Sequence, residues 1–452
     1  MYTTLALRRR RAEVSLEIPK QLIRLAVPLI LGNFLQQLYN TIDAFVLAHY
    51  ADAGSFAAVG IAASVMNLFI FAIVGACAGI SVIFSQYFGS GDMEAFRNEH
   101  FLTAACGTGI AILLSVISIL FLRPLLTLIQ VPAQLTAPVH SYLVLILLGL
   151  PASYLYNLCN AILRSVNKTG VVLLILFASV LLNIVLAFLF VAYFHAGIRG
   201  AACATLFSQI FSAVLGCLYI RKMTPELAFH KGDMYLDASK LTRTAHLAAV
   251  TALHQSSLYL GKLLVQGVVN TAGVAAISAY TATTRIEGFA NSFGDSGAAA
   301  TSIVVAQYTG AKNKEKAKST YCWSMLLLIA LGLISSAILF LGATASSAFM
   351  LGSANADALQ AAVSYLRVIA LFYILCFTGN AFVGYLDGIG KVQYPFIGAA
   401  SHITLRILLS YLLIGRMGLA AVALASGLGW VWANFFWTVV IRRVGGSSFH
   451  VK

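Results

Sequence analysis

ISVIFSQYFGSGDMEAFRN at residues 80–98 returns as TSIVVAQYTGAKNKEKAKS at residues 301–319, 221 positions later in the chain. The alignment pairs Gln86 with Gln307, Tyr87 with Tyr308, Gly89 with Gly310 and Glu94 with Glu315. At the same offset, AGIRGAACAT at 196–205 aligns with MGLAAVALAS at 417–426. Two matches at one spacing indicate that the second half of the chain repeats the first.

The composition identifies the repeated unit as a membrane bundle. Hydrophobic residues make up 60% of the 452 residues and charged residues only 10%, whereas soluble domains are about half apolar and a quarter charged. A helix needs about 20 residues to cross the hydrocarbon core of a membrane. The apolar runs predict twelve such helices, at 21–48, 55–86, 99–124, 136–166, 170–193 and 197–221, and again at 243–270, 276–307, 319–343, 357–387, 392–415 and 418–441.

These runs predict an all-α membrane protein with two tandem six-helix bundles. Six spans is an even number, so both bundles have the same orientation and are related by a pseudo-twofold axis along the membrane normal. The expected division is an N-terminal segment at 1–20, an N-lobe at 21–221, a polar linker at 222–240, a C-lobe at 241–442 and a tail at 443–452.

The net charge of +14 suggests a nucleic-acid partner until its distribution is considered. Most Lys and Arg residues fall on the side of the membrane that holds the N-terminus, and the loops on the other side carry only Arg123, Arg199 and Arg416. Cytoplasmic loops retain positive charge when helices insert. We therefore expect a multi-pass protein of a bacterial inner membrane with both termini in the cytoplasm, a lipid environment and no nucleic-acid partner.

Enzyme motifs do not explain the sequence. It has no HExxH helix for a zinc protease and no Asp-rich clusters for a prenyltransferase. The seven cysteines lie in apolar runs without CxxC spacing, and we interpret them as small core residues. A passive channel fits less well than alternating access by two repeated bundles. No cofactor is expected.

Acidic residues within the predicted spans are rare and indicate function. A carboxylate at the bilayer centre costs about 2.5 to 3.5 kcal/mol, so it should face a cavity or a partner. Asp43 is the strongest candidate, because Gln36, Tyr39, Asn40 and Asp43 share one face of a helix that Pro28 can kink. The alternative is that the amides only join neighbouring helices.

Other polar residues of the first bundle could complete a site around Asp43. Asn157, Asn160, Asn183 and Thr205 supply the oxygen ligands that suit a small cation. His254 and Gln255 near Lys262 are interpreted as residues of packing or of a structural hydrogen bond rather than of direct coupling. Arg285 with Glu287 or Asp295, and also Arg406, could form buried ion pairs that specify packing. Asp387 could be a solvated loop residue.

At this point the sequence resembles a known family, multidrug and toxic compound extrusion (MATE), particularly its DinF-like bacterial branch. The resemblance covers nearly the whole chain and rests on the order of several strings. They are PLILGNFLQQLYNTIDAFVLAHY (28–50), SQYFGSGD (85–92), YNLCNAILRSVNKTG (156–170), LLNIVLAFLF (181–190), GIRGAACAT (197–205) and AQYTGAKNKEKAK (306–318).

The resemblance implies a V-shaped, monomeric antiporter that exports organic cations or other amphiphiles in exchange for H⁺ or Na⁺. It further implies a coupling-ion site, which could hold Na⁺, and a substrate-contacting set with Pro28 as the conformational hinge. The coupling residues would be Asp43, Asn157, Asn183 and Thr205. The substrate-contacting residues would be Gln36, Tyr39, Asn160 and Asn183.

One position departs from the family pattern. Ala187 stands where members of this branch have a second Asp, one turn after Asn183. The loss of that carboxylate argues against a family-type Na⁺ site and favours proton coupling through Asp43. A lipid-linked oligosaccharide flippase is the alternative function, and a basic cavity built from Lys262, Arg285, Arg367 and Arg406 would favour it.

Overall fold

The structure is a computed structural model and describes residues 2–50, 53–128, 131–351 and 356–447. Within these ranges, the side chains of residues 2–16, 40, 43, 44, 47, 48, 53–57 and 444–447 lie outside the described set. The described chain is helical and contains no strand. Its helices are α1 (Tyr2–Tyr50), α2 (Ala53–Ser90), α3 (Met93–Leu102), α4 (Thr108–Leu120), α5 (Leu122–Leu128), α6 (Ala133–Leu148), α7 (Leu150–Ser165), α8 (Thr169–Ala187), α9 (Gly197–Met223), α10 (Ala238–Asn270), α11 (Val274–Gly310), α12 (Lys314–Leu341), α13 (Ala343–Leu351), α14 (Ala356–Ala370), α15 (Tyr373–Gly388), α16 (Gln393–Met417) and α17 (Ala420–Ser447).

The helices account for the predicted spans and confirm the fold class. Among the described residues, eight helices are long and apolar enough to cross a membrane, and two bent helix pairs raise the number to ten. The other two predicted spans, 243–270 and 276–307, correspond to α10 and α11, which are 33 and 37 residues long. These two helices are not among the ten, and they carry Lys262, Glu287 and Asp295.

The two bent pairs occupy equivalent places in the two repeats. Helices α6 and α7 meet at 44° and helices α14 and α15 at 52°. Gly149 separates the first pair, and Pro151 follows it at the start of α7. Proline is tolerated in the first turn of a helix, where its missing N–H leaves no bond unmade. The predicted spans 136–166 and 357–387 are therefore broken helices.

The structure divides the chain into two compact units. The N-unit is Leu31–Ala252, and the C-unit combines Met1–Ile30 with Leu253–Lys452. This division differs from the predicted lobes at 21–221 and 241–442. The reason lies in long-range packing, because Ile18, Leu22 and Leu25 of α1 bury their side chains against Ala300, Ile303 and Val304 of α11.

The second repeat shows the reciprocal arrangement. The start of α10 packs on α2, where a Cβ atom on Gly79 would lie only 2.7 Å from the backbone oxygen of Leu247. Arg243 of α10 donates a hydrogen bond to Gln86. In the C-unit, Gln21 Nε2 donates to Gln307 Oε1 at 3.1 Å. The repeat-related residues Gln86 and Gln307 therefore each bind the beginning of the other repeat's first helix.

The linker between the repeats is held on the N-unit by polar contacts. Arg97 Nε lies 3.1 Å from Asp233 Oδ2. Asn98, which is fully buried, donates from Nδ2 to the backbone oxygens of Asp233 at 2.8 Å and Tyr235 at 2.9 Å. Lys240 Nζ completes the set by donating to Asn98 Oδ1 at 3.0 Å. The linker is thus an ordered part of the N-unit.

The linker carboxylate of Asp233 is stabilised in its charged form. Burial by itself raises the pKa of a carboxyl group. Here the backbone N–H of His230 and the guanidinium of Arg97 outweigh burial, and the pKa of Asp233 lies below its usual value. Asp233 therefore anchors the linker as an anion.

Candidate functional site

Helix α1 brings part of the predicted polar stripe to helix α9. The Tyr39 hydroxyl lies 3.2 Å from Oγ1 of Thr205. Tyr39 is half-buried, whereas Gln36, three residues earlier, is exposed. The side chains of Asn40 and Asp43 lie outside the described residues, although both positions belong to α1. Two members of the predicted sets, from spans 1 and 6, are therefore joined directly.

Small residues on α9 allow Thr205 to sit close to its neighbours. Thr205 is 8% exposed, and Ala201 and Ala204, one turn and one residue earlier, are completely or almost completely buried. Small side chains let helix backbones approach each other in membranes. The hydroxyl of Thr205 is therefore enclosed. Among the described residues, Tyr39 is its one side-chain hydrogen-bond partner.

Asn183 on α8 provides an amide whose Nδ2 atom has no partner among the described residues. Its side chain is 2% exposed, and among the described residues its Nδ2 atom is enclosed without a hydrogen-bond partner. Buried polar groups are almost always satisfied in native proteins. A buried amide nitrogen without a partner in the described part of the chain is a group that a bound ligand or a rearranged neighbour can satisfy.

Helix α7 carries the other two predicted asparagines. Asn157 is half-buried, and its Nδ2 donates to the backbone oxygen of Ser153 at 2.8 Å. Asn160 is 5% exposed, and its Oδ1 atom is enclosed without a partner in the described part of the chain. The described contacts do not join either residue to Tyr39, Asn183 or Thr205.

Ala187 lies in an apolar environment. It is 1% exposed and packs with Val46, Val191, Ala201 and Ala204. Position 187 is therefore part of continuous hydrophobic packing between α1, α8 and α9. The helix that follows Ala187 widens into π-helical turns at Phe188–Tyr193.

Three serines join α8 and α9 and are not among the residues predicted from the sequence. Ser212 Oγ donates to Ser179 Oγ at 2.6 Å, and Ser179 Oγ donates to the backbone oxygen of Ser208 at 3.1 Å. Ser208 and Ser212 are four residues apart and share a helix face. The four-residue spacing of Ser208 and Ser212 was the feature of the sequence that could have indicated this contact. The bonds hold together the two helices that carry Asn183 and Thr205.

The structure also revises several expectations about other residues. Arg285 is exposed and forms no ion pair within 4 Å with Glu287 or Asp295 among the described residues. Asp387 is not a loop residue, because it lies in α15 with Oδ1 enclosed. Cys217 and Cys322 are exposed rather than core residues. A cysteine side chain is apolar enough to face lipid as well as the protein core.

The site offers oxygen atoms rather than soft metal ligands. Within the described residues, no group of three or more His, Cys, Asp or Glu side chains could hold a metal ion. The phenol of Tyr39, the hydroxyl of Thr205 and the amides on α7 and α8 are hard or neutral donors and acceptors. Such an arrangement can hold a small cation or hydrogen-bond an organic molecule.

Comparison with known proteins places these residues in a family. The sequence profile of the MatE family matches residues 28–189 and 251–412. The probable multidrug resistance protein NorM of Thermotoga maritima is 24% identical over 392 residues, with 84% of this chain and 82% of that protein covered. The probable multidrug resistance protein YpnP of Bacillus subtilis is 24% identical over 59% of this chain. The chain spans 60% of the length of YpnP and 65% of that of YoeA, another B. subtilis relative.

Solved structures share the fold. An outward-facing multidrug resistance transporter of the MATE family superposes with a TM-score of 0.89 at 21% identity, covering 96% of this chain and 97% of that one. A MOP superfamily transporter from Pyrococcus furiosus gives 0.88 at 21% identity, covering 95% and 96%. Because the family profile matches both repeats over more than half of the chain, this multi-pass membrane protein belongs to the MatE family of multidrug and toxic compound extrusion transporters, which are not enzymes.

Proposed function

We propose that the chain is a secondary antiporter that exports small organic cations or amphiphiles in exchange for inward H⁺ or Na⁺. Asp43 is the coupling carboxylate in this proposal, and Asn157, Asn183 and Thr205 complete the cation site. Gln36, Tyr39, Asn160 and Asn183 contact the exported molecule. The protein works as a monomer in a bacterial inner membrane, with both termini in the cytoplasm.

The hydrogen bond between Tyr39 and Thr205 is the observation that carries this proposal. It brings helix α1 against the helix that holds the predicted span 6 ligand. Position 43 follows Tyr39 by four residues, one helical turn, so the two positions share a face of α1. Nδ2 of Asn183 and Oδ1 of Asn160, which have no partner among the described residues, add hydrogen-bonding groups in the same unit.

The proposed cycle follows from the charge of one carboxylate. Protonation of Asp43 from outside removes the negative charge that holds an organic cation and releases it. Loss of the proton to the cytoplasm restores the charge and the affinity. Because Ala187 takes the place of the family's second acid and packs in apolar surroundings, H⁺ is favoured over Na⁺ as the coupling ion.

Pro28 is the proposed hinge. It lies in α1 two residues before the boundary between the C-unit, which includes Ile30, and the N-unit, which begins at Leu31. Proline removes one helical hydrogen bond and kinks a membrane helix at modest cost. Solved structures similar to this chain are described in bent and in straight conformations.

The charges of the C-unit weigh against the flippase alternative. A lipid-linked oligosaccharide needs a basic cavity, but Arg406 interacts electrostatically with Glu287 and Lys262 interacts with Asp295. Each of these two cations therefore lies in the electrostatic field of an acid of α11, which argues against a purely basic cavity. One relative, the FAD transporter of Shewanella oneidensis, is 26% identical over 62% of this chain, so an anionic cargo also belongs in the test.

Purified protein in proteoliposomes tests the proposal. Export of ethidium is measured under separate H⁺ and Na⁺ gradients for the parent, Asp43→Asn and Asp357→Asn, an exposed acid of α14. We expect transport driven by the H⁺ gradient, lost in Asp43→Asn and retained in Asp357→Asn. Unchanged coupled transport in Asp43→Asn would remove Asp43 from the mechanism, and FAD transport without ethidium transport would refute the substrate class.

A further inference from the structure

Two cysteines from different helices are in contact inside the N-unit. Cys159 of α7 and Cys217 of α9 are 58 residues apart in the chain, and their Sγ atoms lie 3.7 Å apart. Among the described residues, no other pair of cysteines forms such a contact. The proposed transport site uses neither residue. The contact therefore needs an explanation of its own.

A close approach of the two helices creates this contact. Gly216 precedes Cys217, and a Cβ atom on Gly216 would lie 2.8 Å from Cβ and 3.1 Å from Sγ of Cys159. Glycine lets the backbone of α9 lie directly against the Cys159 side chain. A disulfide needs close backbones and sulfur atoms about 2.05 Å apart. The packing at Gly216 supplies the first condition, and a rotation of the two side chains brings the touching sulfur atoms to the second.

The two thiols differ in access. Cys159 is 3% exposed, whereas Cys217 is exposed, so a reagent from outside the unit meets Cys217 first. Cys217 precedes Arg221, in the last turn of α9, by four residues, and this spacing places both on one face. A neighbouring cation favours the thiolate, which is the nucleophilic form of cysteine. The pair thus combines an accessible sulfur atom with an enclosed one directly beside it.

The fold itself does not require a thiol at position 217. At the offset of 221, helix α17 of the second repeat has Thr438 in this place, and its hydroxyl donates to the backbone oxygen of Asn434 at 2.7 Å. Cys322 of α12 is also exposed, but within the described part of the chain no second cysteine contacts it. The molecule therefore contains one paired and one unpaired exposed thiol, which can be compared directly.

We propose that Cys159 and Cys217 are a redox pair that reacts with hydroperoxides and closes a disulfide between α7 and α9. The Cys217 sulfur attacks one oxygen of the hydroperoxide. The oxygen–oxygen bond breaks, Cys217 becomes a sulfenic acid, and the other oxygen leaves as water or as an alcohol. The Cys159 sulfur then attacks the sulfenic sulfur. A sulfur–sulfur bond forms, the sulfur–oxygen bond breaks, and the Cys159 proton leaves with the hydroxyl group as water. The hydroperoxide accepts the two electrons that the two thiols lose.

The enclosed thiol decides how far the oxidation goes. A sulfenic acid without a neighbouring thiol is open to irreversible oxidation to sulfinic and sulfonic acids, whereas a disulfide returns to two thiols by exchange with a reductant. Cys159 is therefore the resolving residue and Cys217 the reacting one. The disulfide also ties the helix that carries Asn157 and Asn160 to the helix that carries Thr205.

Mass spectrometry of the purified, full-length protein tests the pair. The protein in detergent is treated with hydrogen peroxide until Cys322 is oxidised, its remaining thiols are blocked with N-ethylmaleimide, and it is digested with trypsin. Arg164, Lys168 and Arg199 lie between the two cysteines, so a disulfide appears as two linked tryptic peptides. We expect the linked peptides in the parent and in the matched control Cys322→Ser, and their loss in Cys159→Ala and Cys217→Ser.

Dimedone, which labels sulfenic acids, reports the order of the steps. In Cys159→Ala and Cys159→Ser, Cys217 should take the label that it escapes in the parent, and after prolonged oxidation dithiothreitol should restore Cys217 only in the parent. Two replacements at the buried position, both checked by size-exclusion chromatography, separate the chemistry from a folding defect. Stronger labelling of Cys159 in Cys217→Ser, a disulfide from Cys217 to a second chain, or no linked peptides while Cys322 is oxidised would overturn the proposal.

Discussion

The Tyr39 hydroxyl and the Thr205 hydroxyl lie 3.2 Å apart and link helix α1 to helix α9 in the N-unit. Replacing either residue with its isostere, Tyr39→Phe or Thr205→Val, should remove the bond. Hydrogen bonds between membrane helices contribute about 0.6 kcal/mol on average, so a double-mutant cycle should give a coupling energy of about that size. Unfolding in mixed micelles measures it, with Thr205→Ser as the control that keeps the hydroxyl. Strictly additive single variants would mean that the two hydroxyls do not stabilise each other.

The anchor between Arg97 and Asp233 should depend on pH. The pKa of Asp233 is lower in the folded protein than its usual value, because the His230 N–H and the Arg97 guanidinium outweigh the opposing effect of burial. A lowered folded-state pKa means that this stabilisation is complete above the pKa of the unfolded state, about 3.9 for Asp, and is lost as the pH falls through the folded-state pKa. Asp233→Asn should therefore cost about 1 kcal/mol at pH 7, and the difference from the parent should shrink towards pH 3.

Thermal unfolding of the parent and Asp233→Asn across this pH range checks the prediction. Asp357→Asn, at an exposed position, serves as the control. Its difference in stability from the parent should not shrink between pH 7 and pH 3 in the way expected for Asp233→Asn. A gap between parent and Asp233→Asn that grows on acidification would contradict the sign of the pKa shift.

Ala187→Asp tests why the family's second acid is missing. Ala187 is 1% exposed among Val46, Val191, Ala201 and Ala204, so an unpaired carboxylate there should lower stability by several kcal/mol. If the neighbouring oxygens form a cation site, Na⁺ should recover part of that loss in Ala187→Asp. The parent and Ala187→Asn should not respond to Na⁺. Thermal unfolding in NaCl and in choline chloride measures the effect, and an equal response of all three proteins would argue against cation binding at this place.

Gly107 and Gly109 should respond in opposite ways to alanine. A Cβ atom at Gly107 would lie 1.9 Å from the hydroxyl oxygen of Tyr154, which donates to the backbone oxygen of Thr103 at 2.9 Å. Gly107→Ala must displace that tyrosine and should cost about 1 to 3 kcal/mol. Nothing lies within 4 Å of a Cβ at Gly109, so Gly109→Ala should stabilise the helix by up to about 1 kcal/mol. Chemical unfolding compares the two, and a neutral Gly107→Ala would mean that Tyr154 moves freely.

The fold class could be predicted from the sequence because its signals are local or periodic. Long apolar runs reveal spans, and the pairing of Gln86 with Gln307 reveals the repeat. The division into units could not be predicted in this way. It depends on the packing of Leu22 and Leu25 against Ile303 and Val304, residues almost 300 positions away. An apolar stripe in a sequence does not show which helix it will pack against.

The residues of the candidate site could be selected from the sequence, but the contacts between them could not. Asn183 and Thr205 stand out as polar residues in apolar helices, and the structure places both in buried positions. Their role in a site stays a prediction. The bond from Thr205 to Tyr39 needs the packing of α1 on α9, which no spacing encodes. The same limit applies to the arginines. From the sequence, Arg285 and Arg406 are equal candidates for buried ion pairs, and only the structure shows that Arg406 contacts Tyr280 while Arg285 is exposed.

The exchanged helix beginnings described above have a consequence for how such a chain can be divided. Residues 1–30 complete the C-unit, and residues up to Ala252 complete the N-unit. A fragment cut in the linker therefore carries one segment that belongs to its partner and lacks one of its own. Two copies of a single ancestral repeat could have satisfied each other by swapping these segments as a symmetric dimer. Fusion of the two genes would make this association intramolecular. Each half would then lack one segment of its own unit and could not fold alone without it.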